Sequence, residues 1–174
     1  MTVTTTTAST SVSYLALFAP EQLRPKYLDD DRFQVQAVTP PDWRFNRHMY
    51  CTVGEPWGWN SMRPWTDEQW REYAERPGLL TFRGLWGDET IGYFELADDQ
   101  QSGIKIGYLG LLPGNFGRGF GGALLTRALE EAWRLCPDRV WAHTCTRDHP
   151  AALANYEARG MRIYHTATES ESRS

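Results

Sequence analysis

Residues 104–133, IKIGYLGLLPGNFGRGFGGALLTRALEEAW, and residues 139–161, RVWAHTCTRDHPAALANYEARGM, decide how this chain folds. Ile104, Ile106 and Tyr108 alternate with Lys105, Gly107 and Leu109 at the two-residue period of a strand. Pro113 and Gly114 end it. Gly117, Gly119, Gly121 and Gly122 then leave the backbone unencumbered where a helix begins. In that helix Leu124, Leu125, Ala128, Leu129 and Ala132 form an apolar stripe, and Arg127, Glu130, Glu131 and Arg134 take the opposite side. A second strand over 139–146 and a second helix ending at Gly160 follow.

A helix start presents unpaired N–H groups that together carry about half a positive charge. The glycine turn therefore reads as a cradle for an anion, with Arg118 adding a full charge. Such turns also serve only to pack a helix on a strand. A nucleoside-triphosphate loop needs Gly-Lys-Ser/Thr, which Phe120-Gly121-Gly122 lacks. Gly117-x-Gly119-x-x-Gly122 fits the dinucleotide pattern, yet that fold wants an acidic residue at the end of the next strand, where Thr144, Cys145 and Thr146 stand. A dinucleotide-binding protein stays as an alternative.

A third reading rests on a resemblance. Phe116-Gly117-Arg118-Gly119-Phe120-Gly121 and Ala152-x-x-x-Tyr156-x-x-x-Gly160-Met161 resemble the coenzyme A-binding core of the GNAT (general control nonderepressible 5-related) N-acetyltransferase superfamily. Its pattern is Gln/Arg-x-x-Gly-x-Gly/Ala, then Ala-x-x-x-Tyr-x-x-x-Gly-Phe. The upstream pieces TVGEPWGW and GYFEL look like a bacterial small-molecule branch, and the likeness runs from about Tyr14 to Met161. The resemblance implies an α/β fold (α+β mixed sheet) of the GNAT-like acyl-CoA N-acyltransferase type. Its N-terminal strands would be mostly antiparallel, with one parallel βαβ crossover. It also implies acetyl-CoA, or another acyl-CoA, as donor and a small-molecule primary amine as acceptor, joined by direct attack in a ternary complex.

The same resemblance assigns site residues. Backbone groups near Gly110, Leu111 and Leu112 would hold the acyl carbonyl. Phe116, Gly117, Arg118, Gly119, Phe120, Gly121 and Gly122 would hold the diphosphate, with His149 and Asn155 also at the coenzyme. Tyr156 stands where the family has its general acid; a phenol, with a pKa near about 10, is protonated at neutral pH. The alternative for Tyr156 is a tyrosine that packs its helix on the sheet. Trp57, Trp59 and Arg63 fall where the family builds its acceptor site, although the rings equally suit a core plug. Two positions depart from the pattern. Lys105 stands where Glu is frequent, and Phe116 where Gln or Arg is. A charged lysine cannot accept a proton, so Glu95 on the neighbouring strand is the substitute base, and His143 and His149 could relay protons. The departures keep open a GNAT-fold protein that binds CoA thioesters for decarboxylation or sensing.

The rest of the chain sets bounds. Its 174 residues suffice for one domain with a real core, and eight Trp make that core aromatic. A net charge of −4 argues against nucleic acid as a partner. Cys51, Cys136 and Cys145 have no metal-ligand spacing and are odd in number, so neither a metal site nor a disulfide framework is expected. No apolar run suggests a membrane span and no leader is evident, so the expected location is the cytoplasm. Residues 1–13 (MTVTTTTASTSVS) and 168–174 read as disordered tails around a domain over 14–167. Within it the expectations are a short strand at 14–18, a helical turn near Glu21–Leu28, a strand at 32–38, and a helix over 40–50. An ordered loop follows to Trp65. A helix capped by Thr66 and Gln69 comes next, then a hairpin across Gly87-Asp88. GNAT domains close with one more strand than this reading finds. Either the chain lacks it, or a second copy supplies that edge, which would make a homodimer.

Overall fold

The computed structural model describes residues 9–170. Seven strands form one sheet in the order β2-β3-β4-β5-β6-β1-β7. In chain order they are β1 (Ser9–Leu17), β2 (Phe33–Ala37), β3 (Leu79–Trp86), β4 (Glu89–Asp98), β5 (Gly103–Leu111), β6 (Arg139–Cys145) and β7 (Arg162–Ser170). The helices are α1 (Trp43–Gly54), α2 (Asp67–Ala74), α3 (Phe120–Trp133) and α4 (Ala152–Ala158). Only β5 and β6 run parallel, joined through α3; the other neighbours are antiparallel. This is the expected mixed α/β layout. It also removes the dinucleotide reading, which needs a mostly parallel, doubly wound sheet.

Each helix is fixed by its apolar side. α3 lays Leu124, Leu125, Ala128, Leu129 and Ala132 on Leu15, Leu17, Phe94, Leu96, Ile106, Val140 and Ala142, all fully or almost fully buried. α1 and α2 cover the other face with Trp43, Tyr50 and Trp70, and with Met49 and Val53 against Tyr93. Asp42 caps α1 by accepting from the N–H groups of Arg44 and Phe45. Thr66 and Gln69 form the expected capping box at α2.

Several boundaries differ from the sequence reading. α1 starts at Trp43, beyond both prolines, and continues through Cys51 to Gly54. The stretch 21–28 holds only a 3-10 turn, Pro20–Gln22. Both supposed tails contribute strand: Ser9–Ser13 lies in β1, and Thr168, Glu169 and Ser170 lie in β7. Residues 1–8 and 171–174, the remainder of those tails, lie outside the described residues. The strand expected at 14–18 is the second half of β1, and no strand follows β7 among the described residues. β1 lies between β6 and β7, antiparallel to both. Its repeated Ser and Thr mask the pattern, yet Val12, Leu15 and Leu17 are buried.

One irregularity in the sheet matters more than the rest. Phe94 pairs with Leu109 and Leu96 with Ile106, so β5 holds one residue more than β4 in that interval. The extra residue is a bulge at Gly107–Tyr108, opposite Glu95. On its other side β5 pairs with β6 only through Gly103, Ile104 and Lys105. Beyond Lys105–Trp141 the two strands part, although β5 continues to Leu111 and β6 to Cys145.

Past α4 the chain turns at Gly160, with φ +95°, where a Cβ would meet the Gln22 carbonyl oxygen at 2.1 Å. Left-handed strain alone costs a non-glycine residue about 1–3 kcal/mol. Gly160→Ala is therefore expected to lower the unfolding free energy by more than about 2 kcal/mol in a urea titration, backbone contact and strain adding together.

Candidate active site

The parted strands open into a cavity of about 980 Å³. Its walls come from β5, the start of α3, the β6–α4 connection, α4 and the loop after α1. The N–H of Leu112 donates to the Ile91 carbonyl at 2.8 Å, which turns the amide of Leu112 toward β4. Strand alternation then turns the N–H groups of Leu109 and Leu111 the other way, into the gap that β6 has vacated. Of the three residues expected to face an acyl carbonyl, Leu111 has its amide there. Leu112 does not, because its donor is spent on the sheet. Gly110 lines the gap, but its amide follows that of Leu112; its lack of a side chain admits α1, since a Cβ would strike Val53 Cγ1 at 2.4 Å. Leu109 was missed.

Tyr156, on α4, lines the cavity while only 9% exposed. Burial, and secondarily the charge of Asp148, raise its phenol well above the usual tyrosine value, so it is a proton donor throughout the physiological range. Its hydroxyl has no hydrogen-bond partner among the described residues. Asp148 is held by its neighbours. One oxygen accepts from Thr144 Oγ1 at 2.7 Å and the Cys145 N–H at 3.0 Å, and the other accepts from Trp59 Nε1 at 3.3 Å.

The glycine turn lies at one end of the cavity. Gly117 and Gly119 have φ of +75° and +82°, and Gly119 is the N-cap of α3. Asn155 Nδ2 donates to the Gly121 carbonyl at 3.1 Å and ties α4 to the first turn of α3. Gly117, Gly121 and Gly122 line the space, whereas Gly119 does not, and Phe120 is buried in the main core. Arg118, the cation expected here, points elsewhere: its guanidinium lies 4.6 Å from the centre of the Phe120 ring and 5.4 Å from that of Trp86. Two cations that the sequence reading passed over, Lys26 and Arg159, line the cavity instead. Arg159 lies within the Tyr156-x-x-x-Gly160 pattern and could have been noticed. Lys26 comes from a distant segment and carries no local signal.

Phe116, one of the two departures from the family pattern, packs against His149. The rings of Phe116 and His149 lie 5.1 Å apart, and Trp57 packs edge-on against both, at 6.3 and 5.0 Å. At the other end Tyr50, Trp59 and Tyr108 form an aromatic wall. Arg63 does not line the cavity. Its guanidinium donates to the carbonyls of Cys51 at 2.8 Å and Trp59 at 3.1 Å, so it binds the loop to α1.

The base candidates separate. Glu95 is buried and does not line the cavity; its carboxylate accepts from Asn46 at 2.8 Å and from the Tyr73 hydroxyl. Burial raises its pKa, and both oxygens are engaged. Lys105 sits at the last paired position, over the Trp141 ring, and also lies outside the cavity. Burial, then Arg76, lowers its pKa. His143, further along β6 where the strand is free of β5, does line the gap. Burial, then Lys105, hold its imidazole below the ordinary value, so it is neutral at pH 7.

The family model for the acetyltransferase (GNAT) family matches residues 43–161, and the chain belongs to that family. Its fold is similar to a GCN5-related N-acetyltransferase from Sphaerobacter thermophilus, with TM-score 0.71 and 18% identity over 91% of this chain and 50% of that one. A GCN5-related N-acetyltransferase from Kribbella flavida gives TM-score 0.66 and 13% identity over 91% and 56%. An IAA acetyltransferase from Bacillus cereus gives TM-score 0.60 and 19% identity over 76% and 79%. The chain thus spans little more than half the length of the first two. A search of curated proteins found no match. Among the described residues no helix is long and apolar enough to cross a membrane.

Arg63 tests the wall of the site. Hydrogen bonds from a charged group contribute about 1.5–3 kcal/mol. Arg63→Met is expected to destabilise the protein by at least that much in urea unfolding, which checks its part as a loop anchor.

Proposed function

We propose that this chain transfers an acetyl group from acetyl-CoA to a primary amine of a small molecule by direct attack. The observation that carries the reading is the end of the β5–β6 ladder at Lys105–Trp141, with Tyr156 lining the gap beyond it. Acetyl-CoA is the donor the family generally uses, and when bound it supplies an activated thioester. The residues present suit it. The gap admits an extended arm between two strands, and a Cβ at Gly117 would meet nothing within 4 Å, so a ligand can lie directly on that backbone.

In this reading the Leu109 and Leu111 N–H groups donate to the acyl oxygen as charge gathers there. Tyr156 gives its proton to the departing sulfur. His143 takes the proton that the amine loses, directly or through one water. Tyr50, Trp59 and Tyr108 form the acceptor wall, and the negative net charge favours a small amine over nucleic acid.

The test is thiol release from acetyl-CoA over a panel of small amines. Loss of a general acid typically costs about 10²–10⁴-fold. Tyr156→Phe should lower kcat by that order while acetyl-CoA still raises the melting temperature. Binding without thiol release for any amine would favour a decarboxylase or sensor instead. The sign of the His143 shift sets a second expectation. The base is active when neutral and its pKa is depressed, so the acid limb of kcat/KM should lie below pH 6.5, the ordinary histidine value. In His143→Gln that limb should disappear along with most of the activity.

A further inference from the structure

Lys26 and Arg159 reach the start of α3 from two separate parts of the chain. The segment before β2 is pinned along the helix: the Lys26 N–H donates to Thr126 Oγ1 at 2.9 Å, and that hydroxyl donates in turn to the Gly122 carbonyl at 2.8 Å. The Arg24 N–H donates to the Arg159 carbonyl at 2.9 Å, which fastens the same segment to the end of α4. Both side chains then press on the glycine turn. A Cβ on Gly122 would meet Arg159 Nη1 at 2.4 Å and Lys26 Cδ at 2.6 Å, and one on Gly119 would meet Lys26 Nζ at 3.4 Å. A side chain at Gly122 would displace both cations.

This arrangement is unfavourable by itself. Two positive side chains converge on the positive end of a 14-residue helix. Among the described residues neither makes an ion pair, and Arg159 Nε is buried with no hydrogen-bond partner. The acids on the cavity wall do not compensate: Asp148 is held by Thr144, Cys145 and Trp59, and Glu169 comes from β7. An anion between the two side chains would supply the missing charge.

We infer that Lys26 and Arg159 form a two-sided clamp on the diphosphate of the acyl donor, taking the part that neither Phe116 nor the outward-turned Arg118 performs. The inference rests on the proposed use of acetyl-CoA. A clamp on the diphosphate binds the donor before and during transfer alike, so it should act on KM and leave kcat alone.

The experiment compares acetyl-CoA, its 3′-dephospho form and acetyl-pantetheine, which has no phosphate, on the full chain. Lys26→Gln and Arg159→Gln are each expected to raise KM for acetyl-CoA about tenfold at unchanged kcat, and the pair about a hundredfold, from charge-assisted hydrogen bonds lost. The dephospho donor should show the same losses, and acetyl-pantetheine none. Losses confined to the donor that carries the 3′-phosphate would overturn the assignment to the diphosphate. Equal losses with acetyl-pantetheine, a fall in kcat alone, or a larger rise in KM from Arg118→Ala would overturn the clamp. Circular dichroism checks folding, and Arg159→Lys should recover part of the affinity if charge is what counts. Wild-type chain that fails to bind acetyl-CoA would overturn the proposed function, whereas normal binding with unaffected variants would overturn only the clamp.

Discussion

The ladder between β5 and β6 stops after three residue pairs, and most of the site follows from that interruption. A bulge at Gly107–Tyr108 changes the direction of β5 opposite Glu95. Glu95 in turn binds both overlying helices to the irregular point, through Asn46 on α1 and Tyr73 on α2. A buried carboxylate is costly to desolvate, and here two donors offset that cost. Beyond the last β5–β6 pair the amides of Leu109 and Leu111 are left without a sheet partner and face the gap.

This explains why Glu95 reads so easily as a base from the sequence. A lone acid on a central strand next to a glycine-rich motif has the composition of a catalytic residue. Its partners, Asn46 and Tyr73, come from helices far away in the chain, so its occupation as an anchor is invisible until the chain is folded. Arg63 and Arg118 mislead for the same reason. Their type suggests a ligand, but nearby carbonyls and rings have claimed them.

The central fold was legible because its signals are local. The alternation in 104–109, the glycine turn, the stripe on α3 and the capping box at Thr66 each lie within one or two turns of chain. Tyr156 and the glycines were legible through motif spacing. What escaped was non-local. Ser9–Ser13 looks like a tail, since Ser and Thr dominate it and its apolar partners are in β6 and β7. Lys26 lies in a segment with almost no regular structure, and only its attachment to Thr126 brings it to the glycine turn.

The placement of β1 has a consequence for how the molecule assembles. Val12 pairs with Cys145 and Ser9 with Ser170, so the first described strand has its neighbours among the last described ones. Closing so long a loop is entropically demanding, and contacts of this separation slow folding. During synthesis β1 must wait, unpaired, until β6 and β7 have left the ribosome, and the wall of the gap formed by β6 has no outer neighbour until then.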